Sequence, residues 1–379
     1  MTTVRMLALL LCAAPAAPHM AAAGPITPPA GPVAPTHKTM SQVEPRTPIG
    51  PGTTPGDADS VFRITQSGSY YLTGHLTGEP GKHGIEIAAP DVTIDLMGFT
   101  LEGVDGSLSG VYAPWHITAS GRPVVRNGSV RGWGGHGLNI DAASAAVENV
   151  GAFVNAGRGI HAGPYAAVSR CTATDNGADG FFAATGSMLA DCHAAANSGG
   201  GFSAGLSVVV RSCRAEHNGA EGFSLVGAAT LEGCLAHGNG AAGAAVGADS
   251  LITRSRFDHN DGPGLLLSTA TRVVDCIASE NTGHGISALD RCTITGNACD
   301  GNVGSGIRIS GSHNRVQSNT VTLNAVGISA GGGGNLIAGN AALDNESAHY
   351  QIPSGNFSGP IRTNAGTITT DNPWVNFGM

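Results

Sequence analysis

The chain has 379 residues, a formal net charge of −8 and only 12% charged residues, and 58 of its residues are glycine. Soluble domains ordinarily carry about 25% charged residues and about 7% glycine, so this composition favours one elongated array of short strands and turns. Binding to nucleic acid phosphates needs clustered lysine and arginine. The sequence contains no basic run, and we expect no nucleic acid partner.

Residues 1–23 have the pattern of an export signal. Arg5 supplies a positive charge, residues 6–14 are apolar, and small residues follow up to Ala23. The apolar stretch is too short to span a bilayer. We therefore predict an extracytoplasmic protein (periplasmic, at the cell surface or secreted) with no transmembrane segment in the mature chain. Lipid attachment at Cys12 is a weaker alternative, because Leu11 stands where a small residue is expected.

Residues 24–60 are rich in Pro, Thr, Gly and Ala. A segment of this composition cannot bury a core, so it is predicted to be a semi-extended, Pro-rich linker.

A motif that recurs every 21 residues dominates the rest of the chain. It consists of a glycine, usually followed by an aliphatic or aromatic residue, and of an asparagine that stands four residues earlier in most repeats. The recurring glycines are Gly159, Gly180, Gly201, Gly222, Gly243, Gly264, Gly285, Gly306 and Gly327. A fixed period of this length is the signature of a solenoid.

Within each repeat, apolar residues alternate with small or polar ones, as in Ile160 and Ala162. A period of two indicates a strand with one buried face. Equivalent strands one repeat apart must stack in parallel, and connections between parallel strands are right-handed. We predict an all-β fold, a single-stranded right-handed parallel β-helix of about 12 coils. The frames of leucine-rich repeats and of left-handed hexapeptide β-helices are absent.

Distinctive segments occur at both ends of the chain, at residues 44–49, 54–57, 62–65, 68–74, 92–99 and 372–377. In these segments the chain resembles uncharacterised bacterial right-handed β-helix repeat-containing proteins, although Met97 stands where an asparagine is expected. The resemblance implies the pectin-lyase-like fold and no established activity. It implies a β-helix over residues 84–347, an N-terminal cap over 61–83 and a C-terminal capping tail over 348–379.

Eight cysteines are present, and one of them, Cys12, lies in the predicted signal. Cys171, Cys192, Cys213 and Cys234 occupy one column of four successive coils. Stacked side chains point in the same direction, and a buried cysteine is a good small apolar filler. We expect this column to be largely reduced.

Two Gly-His-Gly triplets, at residues 135–137 and 283–285, are similar to part of the polygalacturonase active-site pattern. Those enzymes also need an adjacent pair of Asp residues as acid and base. That pair is missing from this sequence, and Ser310 stands where a lysine is expected. We interpret His136 and His284 as turn residues of the repeat.

After the cysteine column, several coils place ionisable residues at outward positions. These candidate catalytic residues are His193, Arg214, Glu216, His217, His237, Arg256 and Asp258. A base beside a cation is what a lyase or an epimerase needs. The alternative is a ladder of salt bridges that keeps the sheet soluble. Outward side chains on a flat sheet seldom enclose an ion, even where Glu216, His237 and Asp258 converge, so we expect no metal and no other cofactor.

Aromatic residues of the early coils, Tyr112, Trp115 and Trp133, are candidate ligand-binding residues because sugars stack on such rings, although packing in a capping layer explains them equally well. The expected partner is a polysaccharide or a cell-surface glycan. We favour a carbohydrate-binding or cell-surface structural module, because no complete catalytic set can be assembled. The alternative is a polysaccharide lyase, epimerase or glycoside hydrolase that acts along the outer face of the β-helix.

Overall fold

The computed structural model describes residues 44–115, 121–363 and 370–379. The predicted export signal and residues 24–43 of the predicted linker lie outside these ranges. Residues Arg46–Met379 form one unit, and every regular element in the described ranges is a β-strand. Among the described residues, no helix has the length and hydropathy needed to cross a membrane.

Successive coils supply equivalent strands that pair in parallel. These strands form a 14-stranded sheet, which we call sheet 1, and a 28-stranded sheet, whose two parts we call sheets 2 and 3. We number the sheets in the order in which a coil enters them. Sheet 1 consists of Ser60–Ile64, His83–Ile87, Val111–Ala113, Leu138–Ile140, Ile160–Ala162, Phe181–Ala183, Phe202–Leu206, Phe223–Gly227, Ala244–Val246, Leu265–Leu267, Ile286–Ala288, Ser305–Ile309, Val326–Ala330 and Ala348–Gln351.

Sheets 2 and 3 share two long strands, Val124–Arg131 and Ala146–Phe153, which run through both sheets. Sheet 2 further contains Thr47–Pro48, Gly68–Tyr71, Val92–Asp95, Ala167–Ser169, Met188–Ala190, Val209–Arg211, Thr230–Glu232, Leu251–Thr253, Arg272–Val274, Thr293–Thr295, Arg315–Gln317, Leu336–Ala338 and Phe357–Ser358. Sheet 3 further contains Leu76–Thr77, Thr100–Glu102, Thr172–Thr174, His193–Ala195, Arg214–Glu216, Leu235–His237, Arg256–Asp258, Ile277–Ser279, Ala298–Asp300, Thr320–Thr322, Ala341–Leu343, Ile361–Arg362 and Asn376–Gly378.

The register between coils confirms the predicted parallel β-helix. Phe181 pairs with Phe202, and Phe202 pairs with Phe223, each pair being one 21-residue repeat apart. Sheet 1 has 14 strands, which gives more coils in the described ranges than the 12 or so predicted. The difference arises because the predicted cap and the predicted tail each contribute a coil.

The N-terminal segment predicted as a cap carries strands of all three sheets. Ser60–Ile64 pairs in parallel with His83–Ile87, and the strands at 68–71 and 76–77 pair with the next coil in the same way. The fold also begins within the predicted linker, because Thr47–Pro48 pairs with Tyr70 and Tyr71 and the Ile49 side chain is buried. The first coil is therefore built from residues before position 84.

The C-terminal segment contributes strands at the other end. Ala348–Gln351 is the last strand of sheet 1, and Asn376–Gly378 pairs with Ala341–Leu343 of sheet 3. Asn376 is fully buried and accepts hydrogen bonds from the backbone and the side chain of Asn340. The distinctive C-terminal motif thus supplies Asn376, which is the last member of a column of buried asparagines that includes Asn340.

The interior is filled by the inward residues of the three sheets. Phe181, Phe202 and Phe223 stack with ring centroids 4.8 and 5.0 Å apart and nearly parallel planes. Trp133 is 1% exposed and donates from its indole nitrogen to the backbone oxygen of Leu101. A Cβ atom at Gly84 would lie 2.7 Å from the Trp133 ring, which explains why a glycine occupies this position.

The recurring asparagines form a continuous buried ladder. In each step, the side-chain oxygen of one asparagine accepts hydrogen bonds from the backbone and side-chain nitrogens of the asparagine in the preceding coil, as Asn239 does from Asn218 at 3.1 and 2.9 Å. The side-chain nitrogen also donates to a backbone oxygen, as Asn239 does to Ala215. The members are Asn155, Asn176, Asn197, Asn218, Asn239, Asn260, Asn281, Asn302, Asn324 and Asn345.

The cysteine column lies at a second turn, between sheets 2 and 3. All seven cysteines of the described residues are free thiols, and all are buried. Burial raises the pKa of Cys276 to about 11 and the pKa of Cys234 to about 12. At neutral pH these thiols are protonated apolar fillers, as the sequence predicts for the column.

Candidate functional site

Sheet 3 presents a continuous row of ionisable side chains on its outer surface. In the strands His193–Ala195, Arg214–Glu216, Leu235–His237 and Arg256–Asp258, the middle residue points inward and is buried, and the residues on either side of it point outward. His217, His259 and Glu280 follow their strands in turns with positive φ. We call the following nine residues the polar strip: His193, Arg214, Glu216, His217, His237, Arg256, Asp258, His259 and Glu280.

Glu216 joins the first two coils of the polar strip. Its Oε2 atom lies 2.9 Å from Nε2 of His193 in the preceding coil, and its Oε1 atom pairs with the Arg214 guanidinium. Burial alone would raise the pKa of Glu216, but the hydrogen bonds from Arg214 and His193 hold it below its ordinary value. Glu216 is therefore an ionised acceptor that fixes its two neighbours.

Asp258 contacts three other residues of the polar strip. Its Oδ2 atom lies 3.1 Å from His237 Nδ1 and 3.3 Å from His259 Nδ1, and its Oδ1 atom lies 3.2 Å from Arg256 Nε. Burial would raise the pKa of Asp258, but hydrogen bonds from Arg256 and His237 lower it. Only 4% of this residue is exposed, because the side chains that pair with it also cover it.

Three imidazoles lie next to one another in the polar strip. The ring centroids of His217 and His237 are 5.2 Å apart, and those of His237 and His259 are 5.1 Å apart. With Nδ1 of His237 facing a carboxylate, the proton of a neutral ring belongs on Nδ1. Nε2 of His237 makes no hydrogen bond to any described residue, and it can accept a proton.

The structure thus brings together all seven candidate catalytic residues of the sequence analysis. His259 and Glu280, the other two residues of the polar strip, extend this group, and their positions follow from the same repeat. The aromatic candidates do not join it. Tyr112 lies on sheet 1, where its ring stacks on His83 at a centroid distance of 4.2 Å.

Trp133 is not available to a ligand on the surface, and this part of the sequence prediction is wrong. Its indole fills the interior beneath the first coils and is 1% exposed. The alternative explanation, packing in the terminal coils, describes its position. Trp115 in contrast is 74% exposed.

A second cluster of polar and aromatic residues, which the sequence analysis did not single out, lies on the outer face of sheet 1. His161 is 2.9 Å from Asp141 through Nε2 and 3.1 Å from the Arg158 guanidinium through Nδ1. Because arginine only donates, Nδ1 accepts and Nε2–H donates to Asp141. Phe182 covers the other side of the ring at 4.7 Å. Both ring nitrogens are occupied, so His161 is not a free base.

The histidines of the two Gly-His-Gly triplets have structural partners. Nδ1 of His136 accepts from the backbone nitrogen of Arg158, and Nδ1 of His284 accepts from that of Ser305, each at 2.9 Å. Nε2 of His284 lies 3.0 Å from the Arg308 guanidinium. These bonds hold turns of adjacent coils together, in agreement with the interpretation as turn residues.

Comparison with known proteins identifies the architecture. A family model, right handed beta helix region, matches residues 110–251 and 226–345. No curated protein matches the chain. The A-module of the Azotobacter vinelandii mannuronan C-5 epimerase AlgE4 is similar in structure, with 16% identity over 77% of this chain and 91% of its own and a TM-score of 0.55. The AlgE6 A-module of the same organism has 18% identity over 78% of this chain and 91% of its own, with a TM-score of 0.52.

Proposed function

Because this chain belongs to the family of right-handed β-helix proteins, we propose that it binds a polysaccharide along the outer surface of sheet 3. One observation carries the proposal: the polar strip continues over successive coils, and each coil adds donors or acceptors at a spacing of about 4.8 Å. A glycan chain parallel to the axis would meet a new set of hydrogen-bonding groups at each coil.

The charges of the strip favour a polysaccharide that carries carboxylates. Arg214 and Arg256 are more than half exposed, and each keeps guanidinium N–H groups beyond those that contact Glu216 and Asp258. A guanidinium binds a carboxylate through paired hydrogen bonds. The two arginines are two coils apart, roughly 9.6 Å, which is close to the length of a disaccharide unit in an extended chain.

Two further points support this ligand class. The similar A-modules are, by name, parts of mannuronan C-5 epimerases, and mannuronan is a polysaccharide. The net charge of −8 opposes a polyanion over most of the surface, so local pairing with the two arginines would determine where an acidic chain binds.

The test is binding of the full chain to a panel of soluble acidic and neutral polysaccharides, measured by calorimetry. Arg214→Leu is an informative variant because Leu235 already occupies the equivalent position in the next coil. It should weaken binding to an acidic polysaccharide about tenfold, the loss of one charge-assisted contact. The matched control is Arg272→Ala, an exposed arginine of sheet 2. Equal affinities for Arg214→Leu, Arg272→Ala and the wild-type protein would refute the proposal.

A second function, lyase or epimerase chemistry on a uronate, is favoured by the arrangement at His237. Asp258 orients the ring, Nε2 is open to a substrate, and Arg256 can stabilise charge on the substrate carboxylate. In a lyase reaction, Nε2 would take the C5 proton, a C4–C5 double bond would form, and the C4–O bond would break with the proton passing to the leaving chain.

Turnover separates the two functions. The wild-type protein is incubated with each polysaccharide that it binds, and the ultraviolet absorbance of unsaturated uronate and exchange of the C5 proton with solvent are followed. Activity that is lost in His237→Ala establishes catalysis. Ala195 occupies the equivalent position two coils earlier, so this variant should fold. Binding without turnover leaves the binding module as the function.

We also propose that the protein acts outside the cytoplasm, on the basis of residues 1–23. Cell fractionation and N-terminal sequencing of the mature protein test this. Full-length protein in the cytoplasm would contradict it.

A further inference from the structure

His259 contacts a carboxylate through each of its ring nitrogens. Nδ1 lies 3.3 Å from Asp258 Oδ2, and Nε2 lies 2.9 Å from Glu280 Oε2. A neutral imidazole has a single N–H, so it can donate to only one of the two carboxylates. The other contact would place two lone pairs against each other. The arrangement therefore calls for an additional positive charge on the ring or beside it.

Asp258 and His237 complete a group around this position. Nδ1 of His237 faces the same Oδ2 atom at 3.1 Å, and His237, Asp258 and His259 can offer three ligand atoms within 4.8 Å of one another. The Asp258 carboxylate is buried, and its Oδ1 atom, although 3.2 Å from Arg256 Nε, accepts no hydrogen bond from the described residues. Oδ1 thus pairs with the Arg256 cation without a hydrogen bond, whereas Oδ2, which faces Nδ1 of both histidines, is the oxygen that can bind an ion together with them.

We propose that His237, Asp258 and His259 bind a divalent transition metal ion, with zinc the expected ion. This site goes beyond polysaccharide binding and does not depend on it. Two imidazoles and one carboxylate are ligands that zinc accepts, and three protein ligands leave a fourth position open to water. Magnesium and calcium prefer oxygen ligands and are disfavoured here.

Glu280 has the role of an outer carboxylate in this site. A histidine that binds a metal through one ring nitrogen usually donates its other N–H to a carboxylate or a carbonyl. With the ion on Nδ1, the His259 proton lies on Nε2, and it donates to Glu280 at 2.9 Å. The ion thus resolves the conflict between the two carboxylate contacts of His259.

Metal binding has two consequences for the neighbouring groups. The Arg256 side chain is 53% exposed, so it can turn into solvent when an ion neutralises Asp258. An ion on Nδ1 of His237 places the proton of that ring on Nε2. The metal-bound protein therefore cannot use His237 as a base, and the two roles of His237 exclude each other.

Zinc binding is measured by calorimetry on the untagged full chain, after chelator treatment, with magnesium as the comparison ion. We expect one zinc per chain at this site. His259→Ala should weaken it at least about 100-fold, and Glu280→Gln about tenfold. Ala196 occupies the equivalent turn three coils before His259, with a similar positive φ, so His259→Ala should fold. The control is His193→Ala, which removes another histidine of the strip and should leave zinc affinity unchanged.

A second measurement keeps the proposal independent of any glycan. Zinc should raise the melting temperature of the wild-type protein and of His193→Ala, and it should not raise that of His259→Ala. Equal zinc affinity in the wild-type protein and His259→Ala would overturn the proposal. Absence of zinc binding to the wild-type protein would also overturn it.

Discussion

His161 shows how a single outward residue is fixed by its neighbours. The Arg158 guanidinium occupies one ring nitrogen, and the Asp141 carboxylate accepts from the other. Burial, together with the Arg158 guanidinium, lowers the pKa of His161 to about 4, although the Asp141 carboxylate opposes this shift. A proton on Nδ1 would point at a guanidinium, so the folded state holds this ring neutral.

This depressed pKa predicts a loss of stability in acid. The unfolded chain protonates His161 near pH 6.5, whereas the folded chain does so only near pH 4. Between these values the unfolded state binds more protons, so the free energy of unfolding falls as the pH falls, by as much as about 3 kcal/mol from this group. Urea unfolding of the wild-type protein and of His161→Asn at pH 7 and pH 4.5 measures the difference.

Asparagine is a suitable replacement because Asn139 occupies the equivalent position in the preceding coil. His161→Asn should lose less stability than the wild-type protein over this pH range. His313→Asn is the matched control, since His313 is exposed in a turn with positive φ, where asparagine is tolerated. If the pH dependence of stability is the same in all three proteins, His161 does not titrate as the structure indicates.

At the scale of the element, the turns are organised by stacked amides. Between its two end members, each asparagine of the main ladder uses its side-chain oxygen for two donors and its side-chain nitrogen for at least two acceptors, as Asn218 does with Asn197, Asn239 and Ala194. All four bonds are formed in a buried position. Each member therefore satisfies backbone groups that the turn itself cannot pair.

Substitution within this ladder should be destabilising. Asn239→Leu removes the acceptor of two N–H groups of Asn218 and the donors to Asn260 and Ala215. We expect a loss of about 1–3 kcal/mol in the free energy of unfolding, measured by chemical denaturation. Asn139→Leu, the control, makes the same change at an outward position that Leu266 fills in a later coil, and it should cost little. A neutral Asn239→Leu would show that the amide bonds do not stabilise the turn.

Sequence reasoning found one of the three asparagine ladders that the described residues form. The cysteine column continues into Asn297, Asn319, Asn340 and Asn376, and Cys276 donates its backbone N–H to Asn297. Another column passes from Cys292 to Asn314, Asn335 and Asn356. These ladders were not predicted because cysteine, serine and small residues fill the same turns in earlier coils. Because this turn position accepts several small residues, the residue type found there does not repeat every 21 residues.

The polar strip was predictable in membership but not in its contacts. The 21-residue period places His193, Arg214, His237 and Asp258 on one face, and the strand register confirms this placement. The period does not reveal that Asp258 is buried, because that depends on how Arg256 and two histidines fold over it. The burial of Trp133 was missed for a similar reason. It depends on glycines in neighbouring coils, which leave room for the ring inside.

At the scale of the molecule, the sequence predicted the architecture well and its ends less well. The interior repeats share one length and one pattern, so a single register determines all of them. The end coils lack that pattern. Their contacts use particular residues, such as Asp95, whose carboxylate pairs with Arg46 and Arg126 and accepts from the side-chain nitrogen of Asn127. Such contacts join residues of different coils that no periodicity relates.

A solenoid in which each coil contacts mainly its neighbours should tolerate the loss of one whole coil. Deleting residues 282–302 removes one 21-residue repeat and joins Asn281 to Val303, so Asn281 can bond to Asn324 in place of Asn302. We expect a folded protein whose long axis is shorter by about 4.8 Å in small-angle scattering and which still unfolds cooperatively. Deleting residues 282–291, half a coil, should instead turn buried strand residues outward and cause aggregation. Unfolding by the whole-coil deletion, or tolerance of both deletions, would contradict a fold governed by the 21-residue register.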